Sequence, residues 1–354
     1  VHIAIDIREA CREQRTGKGQ WAYGFLRELL SRPVRVVGYA DGTVPRFDCD
    51  PSLFTAHVFK GGGLPWHWRV ARHVRHAGEA DAYVSPTSYI VPFLLAGRFP
   101  SFPVVHDLIA FRGEPHDRRA TFIERATLGR TVIAARRIFT VSAATKRDLL
   151  GRFPALAAGN VLPLFAGPMR DGVPPTRPDG RTILCIATLS PRKNQKRLIE
   201  AFARLPQKLR ERHRLVLAGG RGWMDDEIVA LAQSTPGVEW RGYVTEGEYE
   251  SLLSTCAVFA LPSLYEGFGM QILDALQRGI PVLTSDRGSL REVCGNAAIY
   301  ADPESVSSIA TGLELLLGSE RVRFDLHDSS LRQAKNFSWK RTVDLFLDAL
   351  KSMN

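Results

Sequence analysis

A chain of 354 residues, 45% of them hydrophobic, is longer than one hydrophobic core usually serves, so two domains are expected. The formal net charge of +10 calls for an anionic partner: nucleic acid, a membrane face or a phosphorylated small substrate. No helix-turn-helix, zinc-finger or RNA-recognition pattern supports the first, and no apolar run is long enough to span a bilayer.

Short apolar runs alternate with helical patterns along the whole chain, as in parallel α/β sheets. In the first half, strands are expected at 2–7, 34–39, 82–85, 102–106 and 137–141, with helices at 19–31, 118–135 and 143–153. A strand starting at residue 2 leaves no room for a signal peptide. Cys11, Cys49, Cys185, Cys256 and Cys294 are odd in number, far apart and without a C-x-x-C pair. They read as buried or incidental thiols in a reducing, cytoplasmic compartment, not as ligands of a metal.

After the first strand comes Thr16-Gly17-Lys18-Gly19. Gly17 and Gly19 allow a tight turn whose N–H groups can meet an anion. Without a full G-x-G-x-x-G the same residues also suit an ordinary strand-to-helix turn. Farther on, 57–78 carries Lys60, Arg69, Arg72, Arg75, four histidines, two tryptophans and no acid. At helical spacing Trp66, Val70, Val74 and Ala77 share one side, and Arg69, Arg72, Arg75 and His76 the other, with Trp68 among them. Such a segment either packs on a core with its arginines solvated or lies on an anionic membrane surface. His106-Asp107 closes the strand at 102–106.

The stretch 163–181 holds Pro163, Pro168, Pro174, Pro175 and Pro178 with Gly167, Gly172 and Gly180, the clearest linker signal in the chain. Domains are therefore expected at 1–166 and 182–337, joined by 167–181. Strands in the second are expected at 182–187, 214–218, 238–241, 257–261 and 281–284, and a final helix near 339–351.

The most informative stretch is SLYEGFGMQILDAL at 263–276. An apolar run ends at Pro262-Ser263, Glu266 follows, and Gly267 and Gly269 open a helical pattern that carries Asp274 eight positions after Glu266. A strand, a glycine turn and a helix start make an anion site, because the first N–H groups of a helix have no partner within it. An acid on either side of that site suits a ligand with hydroxyls flanking a phosphate, which describes a sugar nucleotide. Arg192 and Lys193, placed between a strand and a helix, supply cations for a diphosphate. The pair Asp225-Asp226 could suggest a metal, but at the start of a helix it reads better as acids complementing the dipole.

These blocks together resemble the retaining glycosyltransferases of family 4, with Asp274 where their E-x7-E signature has a second Glu. HIAIDIRE and TGKGQWAYGFLREL, VVHDL at 104–108, FTVSAATKRDLL at 139–150, LSPRKNQKRLIEAF at 189–202, RGYV at 241–244 and RGIPVLTSDRGSLREV after the acidic motif follow in the family's order. The resemblance implies the GT-B fold, an α/β architecture of two Rossmann-like domains facing across a cleft. It implies an acceptor-binding first domain, with 338–354 packing back on it, and a second domain that binds the nucleotide sugar. Lys193 would stabilise the leaving diphosphate. Thr188 stands at the donor-site position where the family has Arg, so Arg192 would supply that charge. Glu266 would bind the donor sugar, and the backbone of Phe268, Gly269, Met270 and Gln271 would face sugar and phosphate. Asp274 would take the ribose hydroxyls, Gly17 and Gly19 the diphosphate, and Tyr243 would lie beside the base. His106 would orient a hydroxyl at the reacting sugar, although a lone His at a strand end is often structural.

The mechanism implied is front-face attack without a metal or other cofactor. The resemblance extends to bacterial mannosyltransferases of O-antigen and exopolysaccharide synthesis, which makes a GDP-sugar, GDP-mannose, the first donor expected. A UDP-sugar, UDP-glucose or UDP-N-acetylglucosamine, is the alternative, and so is a non-catalytic binding module. The acceptor implied is a sugar or lipid-linked sugar, which would place the protein at the cytoplasmic membrane face.

Overall fold

Parallel strands covered by helices on both faces must be apolar nearly throughout, and most strands here are. The computed structural model describes residues 2–113, 117–176 and 181–352. Contacts divide the chain into two units, Val1–Gly167 with Ser338–Asn354, and Pro168–Phe337. Of the linker expected at 167–181, residues 177–180 lie outside the described residues, as do the last two of 338–354.

The first unit contains β1 (His2–Asp6), β2 (Arg35–Ala40), β3 (Phe54–Val58), β4 (Ala82–Ser85), β5 (Ser101–Val105), β6 (Ile138–Thr140) and β7 (Val161–Pro163). They form one sheet in the order β3-β2-β1-β4-β5-β6-β7, all pairs parallel. The two strands not anticipated, β3 and β7, are its edges. β3 is largely exposed and lacks an apolar run, and β7 ends on Pro163, which an edge tolerates because no ladder N–H is lost.

The helix Gly17–Leu30 is capped by Thr16, whose side chain accepts from Gly19 N. It buries Trp21, Phe25 and Leu29. The C-terminal helix Trp339–Lys351 packs against it, with Trp339 edge-on to Trp21 at 6.0 Å and Phe346 edge-on to Phe25 at 5.1 Å. Gly24 makes room, since a Cβ there would fall 2.2 Å from the Trp339 ring.

The basic segment forms the helix Gly63–His76. Trp66, Val70 and Val74 enter a core with Tyr39, Tyr83, Val91 and Leu95. Trp66 donates to the Ala40 carbonyl at 3.0 Å, and the Arg8 guanidinium stacks 3.6 Å over its ring. Ala77, expected on that side, is exposed just past the helix end. Trp68 remains 56% exposed and Leu64 69%.

The second unit contains β8 (Thr182–Ile186), β9 (Arg214–Ala218), β10 (Val238–Trp240), β11 (Cys256–Leu261), β12 (Val282–Thr284) and β13 (Ala298–Tyr300). Their order is β10-β9-β8-β11-β12-β13, again all parallel. The chain runs outward from β8 to β10 and then returns to β11 on the other side of β8. Connections therefore leave in opposite directions at the β8/β11 boundary, which opens a crevice at the carboxyl ends of the strands. Among the described residues no helix is long and apolar enough to cross a membrane.

Candidate active site

β8 and β11 are neighbours, with Leu184 opposite Phe259, so the loops leaving them rise side by side. The first loop makes a short turn, Pro191–Lys193, and enters the helix Gln195–Ala203 through Asn194. Asn194 has left-handed backbone (φ 63°), and its amide donates to Pro262 O at 2.9 Å and Pro303 O at 2.7 Å. The second loop answers with Leu264 N donating to Arg192 O at 2.8 Å. These bonds fix where the charged side chains can go. Lys193 Nζ lies 2.6 Å from Glu266 Oε1, and Arg192 donates to Glu266 Oε2 at 3.1 Å and to Tyr265 O at 2.5 Å. Ser263 Oγ donates to Glu266 Oε1 at 2.7 Å.

A third loop, after β12, closes on the same residue. Gly288 (φ 62°) passes so near that a Cβ would fall 2.3 Å from Glu266 O, and Ser289 N donates to that oxygen at 3.0 Å. Glu266 is thus held from three strand ends.

Burial opposes charge on Glu266, but Lys193 and Arg192, with hydrogen bonds from Lys193 and Ser263, outweigh it and hold the carboxyl near a pKa of about 2. Burial also pulls Lys193 below the ordinary lysine value, and the Glu266 carboxylate pulls the other way. The trio is two cations on one anion. Its surplus positive charge sits at the crevice, where a diphosphate is the fitting ligand.

The loop ends at Gly269, whose φ of 93° is a left-handed value that favours glycine, and the helix Met270–Gln277 begins there. Phe268 is buried edge-on to Phe337 at 5.6 Å, Met270 is buried and Gln271 half-buried. The helix N-terminus therefore starts directly after the Glu266 loop, with its partial positive charge on the same side as the two cations.

Asp274 makes different contacts. Its side chain is buried, Oδ1 accepts from Met169 N at 2.8 Å, and Oδ2 accepts from the Tyr249 hydroxyl at 2.5 Å. Burial raises its pKa to about 7 against the pull of those bonds. Both oxygens serve the packing of this unit and the residue is only 1% exposed, so a ribose would have to move Tyr249 or Met169 aside to reach them. Thr188 is exposed after β8, and its carbonyl accepts from Gln195 at 3.1 Å. Tyr243 is half-exposed after β10. Arg221 bridges Asp225 and Asp226, and its hydrogen bonds hold Asp225 below the ordinary carboxylate value.

In the first unit, Gly17 begins its helix with open space where a Cβ would stand. The Gly19 N–H donates to Thr16 Oγ1 at 3.3 Å, so one of the N–H groups expected to meet an anion serves as a cap contact. His106 follows β5, buried edge-on to Trp21 at 5.4 Å. Its Nε2 lies 2.6 Å from the Pro86 carbonyl, which only accepts, so Nε2 carries the hydrogen and Nδ1 a lone pair. Burial, with the charge of Lys18 nearby, lowers its pKa to about 4, and the ring is neutral at pH 7.

Sequence reasoning did not single out Ser263, Asn194, Gly288 or Tyr249. Ser263 does carry a local signal, since it lies three residues before Glu266 within the same motif. Tyr249 carries no local signal, because only folding sets it on Asp274, 25 residues away.

Residues 172–338 match the family described as glycosyl transferases group 1. O-antigen chain mannosyltransferase B of Escherichia coli is 37% identical over 171 residues, which is 48% of this chain and 45% of that protein. The chain thus matches less than half the length of this curated relative. Among solved structures, sucrose-phosphate synthase from Thermosynechococcus elongatus superposes with a TM-score of 0.81 at 16% identity, covering 99% of this chain and 98% of that one. Anabaena HepE in complex with UDP and glucose gives 0.76 at 16% identity, covering 99% of each chain. At these identities the likeness is one of fold, and it bears out the expected pair of parallel α/β domains of the GT-B class. The likeness to glycosyl transferases group 1 thus lies in residues 172–338, within a chain of GT-B fold.

Proposed function

We propose that the protein is a retaining glycosyltransferase that moves a hexose, mannose in the first instance, from a nucleoside diphosphate sugar to a hydroxyl of a sugar or lipid-linked sugar. The setting proposed is bacterial polysaccharide, lipopolysaccharide or glycolipid synthesis. The observation that carries this reading is the cluster of buried Lys193 and Glu266 with half-buried Arg192, Glu266 lying four residues before the start of the helix Met270–Gln277. Breaking the bond between the sugar and its phosphate leaves added negative charge on the diphosphate. Lys193, Arg192 and the helix N-terminus are placed to stabilise it, a role that needs no divalent cation. Glu266, kept ionised, can accept hydrogen bonds from sugar hydroxyls. In the first unit, neutral His106 can accept a hydrogen bond from a hydroxyl through Nδ1. In front-face attack the departing phosphate takes the acceptor's proton, so no protein nucleophile is required.

Mannose is favoured because the Escherichia coli relative is named a mannosyltransferase. HepE binds UDP and glucose, so UDP-glucose and UDP-N-acetylglucosamine belong in the same test. Melting curves and nucleotide release should be measured with GDP-mannose and both UDP-sugars. The cognate donor is expected to raise the melting point and be consumed only with an acceptor or by slow hydrolysis. No shift with any of them would overturn the proposal. Thr188 and the engaged Asp274 favour a second reading, a nucleotide-sugar-binding module without turnover, which predicts the shift and no release.

We also propose that the helix Gly63–His76 touches an anionic membrane through Leu64, Trp68, Arg69, Arg72 and Arg75. The exposure of Leu64 and Trp68 supports this.

A further inference from the structure

We infer that His57, His73 and Glu79 form a binding site for a divalent transition-metal ion of the zinc class at the edge of the first unit's sheet. Three separate pieces of chain converge there. His57 lies on the edge strand β3, opposite Tyr39 of β2. His73 lies in the last turn of the helix Gly63–His76. Gly78, with a φ of 66°, then turns the chain so that Glu79 comes back over β3. One donor atom from each residue lies within 4.8 Å of the other two. The two imidazole rings are 4.5 Å apart at their centres, and His57 Nε2 is 2.7 Å from Glu79 Oε2.

The donor set identifies the class of ion. Two imidazoles and one carboxylate suit zinc and its neighbours, whereas magnesium and calcium prefer oxygen alone. Three protein donors leave a fourth position open to water. Bonds of about 2.1 Å in a tetrahedral site place donor atoms about 3.4 Å apart, so side-chain rotation within the present cluster is enough to close it. The His57–Glu79 contact is shorter than that because a hydrogen lies between the atoms. The carboxylate can only accept, so an ion entering there needs the other neutral tautomer of His57: Nε2 gives its hydrogen to solvent and Nδ1 takes one up, which leaves the Nε2 lone pair for the ion and the proton count unchanged. Beneath the cluster the Tyr39 hydroxyl lies 3.1 Å from His73 Nδ1, so a hydrogen on Nδ1 can be donated to the phenol oxygen while Nε2 is left for the ion. A hydrogen bond of this kind orients a liganding imidazole. Phe59 completes the aromatic surround, 5.6 Å from His73 and 6.1 Å from Tyr39 between ring centres.

An ion held this way ties the end of the helix to the outermost strand. β3 is separated from β5, which leads to His106, by β2, β1 and β4. The site is therefore structural, and it is independent of the transfer chemistry proposed above.

The test uses the full chain stripped with EDTA and dialysed. Calorimetric titration with zinc chloride is expected to give one saturable site and a higher melting point. Cobalt(II) should bind with the visible absorption of a low-coordinate nitrogen–oxygen site. Glu79→Gln keeps an acceptor for His57 and preserves the fold, yet should weaken zinc at least tenfold, and His73→Ala should do the same. Absence of saturable binding, or wild-type affinity in both variants, overturns the inference, since the ion would then sit elsewhere among the nine histidines. Donor turnover measured in EDTA reports on the proposed function separately, so the two ideas fail independently.

Discussion

The ammonium of Lys193 lies 2.6 Å from the carboxylate of Glu266, and both groups are buried. Removing either one strands the other in a poorly solvated place, with Arg192 left as the second cation. On the function proposed, the pair therefore links stability to catalysis, which a lysine serving only the substrate would not do.

Lys193→Ala is expected to lower transfer roughly 100-fold or more, through loss of charge at the diphosphate. It should also destabilise the second unit, because breaking a buried ion pair costs about 3–5 kcal/mol where no other cation remains, and less with Arg192 present. Urea denaturation and donor turnover on the same preparation check both effects. Turnover at the wild-type rate would show the phosphate site to be misplaced.

Glu266→Gln keeps the shape and removes the anion. The two cations are then uncompensated, so the bare nucleoside diphosphate should bind as tightly as to the wild type or more so, while transfer falls at least tenfold, as when a charged hydrogen bond made in the transition state is lost. Calorimetry with GDP and UDP beside a turnover assay separates the two. Equal losses in binding and rate would rule out a sugar-directed role for Glu266.

Asp274 predicts a pH dependence. Its folded pKa of about 7 lies above the ordinary 3.8. Between those values the folded chain holds a proton that the unfolded chain has released. Stability from this group is fully present below the lower value and declines as pH rises towards 7, at roughly 1.4 kcal/mol per pH unit, then levels off. Asp274→Asn keeps an acceptor for Met169 N and offers a donor to the Tyr249 oxygen, so it should fold and lose this slope. Denaturation midpoints from pH 4 to 8 decide it, and parallel curves for the two proteins contradict the assignment.

Membrane contact, if made through the helix Gly63–His76, must use Trp68, since Trp66 is in the core. Changing Arg69, Arg72 and Arg75 to Glu should abolish co-sedimentation with anionic vesicles, each Arg being worth about 1 kcal/mol near the surface. Trp68→Ser should weaken it further at low salt. Unchanged sedimentation, or none in the wild type, ends the idea.

Transfer should survive excess EDTA at temperatures where the chain stays folded. Arg221 already engages Asp225 and Asp226, and the cations at the proposed diphosphate site are Lys193 and Arg192. Complete loss of activity at an unchanged melting point, restored by magnesium or manganese, would refute metal-independent transfer.

Most of the fold was legible along the chain, because a parallel strand buried on both faces needs a continuous apolar run and the helices between show their own period. The strands that escaped, β3, β7 and β13, are sheet edges, where burial is partial and the pattern weak. The glycine turn and the acid at Glu266 were legible too, since a helix start that approaches a ligand requires those residue types in that local order. What the chain could not show is which distant groups would meet. Lys193 and Glu266 are 73 residues apart, and they touch because strand order sets β8 beside β11 and brings both loops to one edge. Asp274 looked like a ligand-facing acid until Tyr249 and Met169 were found on its oxygens. Helical spacing already set Trp66 with Val70 and Val74 and left Trp68 among the arginines, but whether the apolar side would meet a core or a membrane was decided only when the helix packed on Tyr39 of β2 and Tyr83 of β4. Local sequence sets which residues are apolar and where the backbone can turn. The partner of a buried charge depends on contacts between remote segments, and these exist only once the sheet has formed.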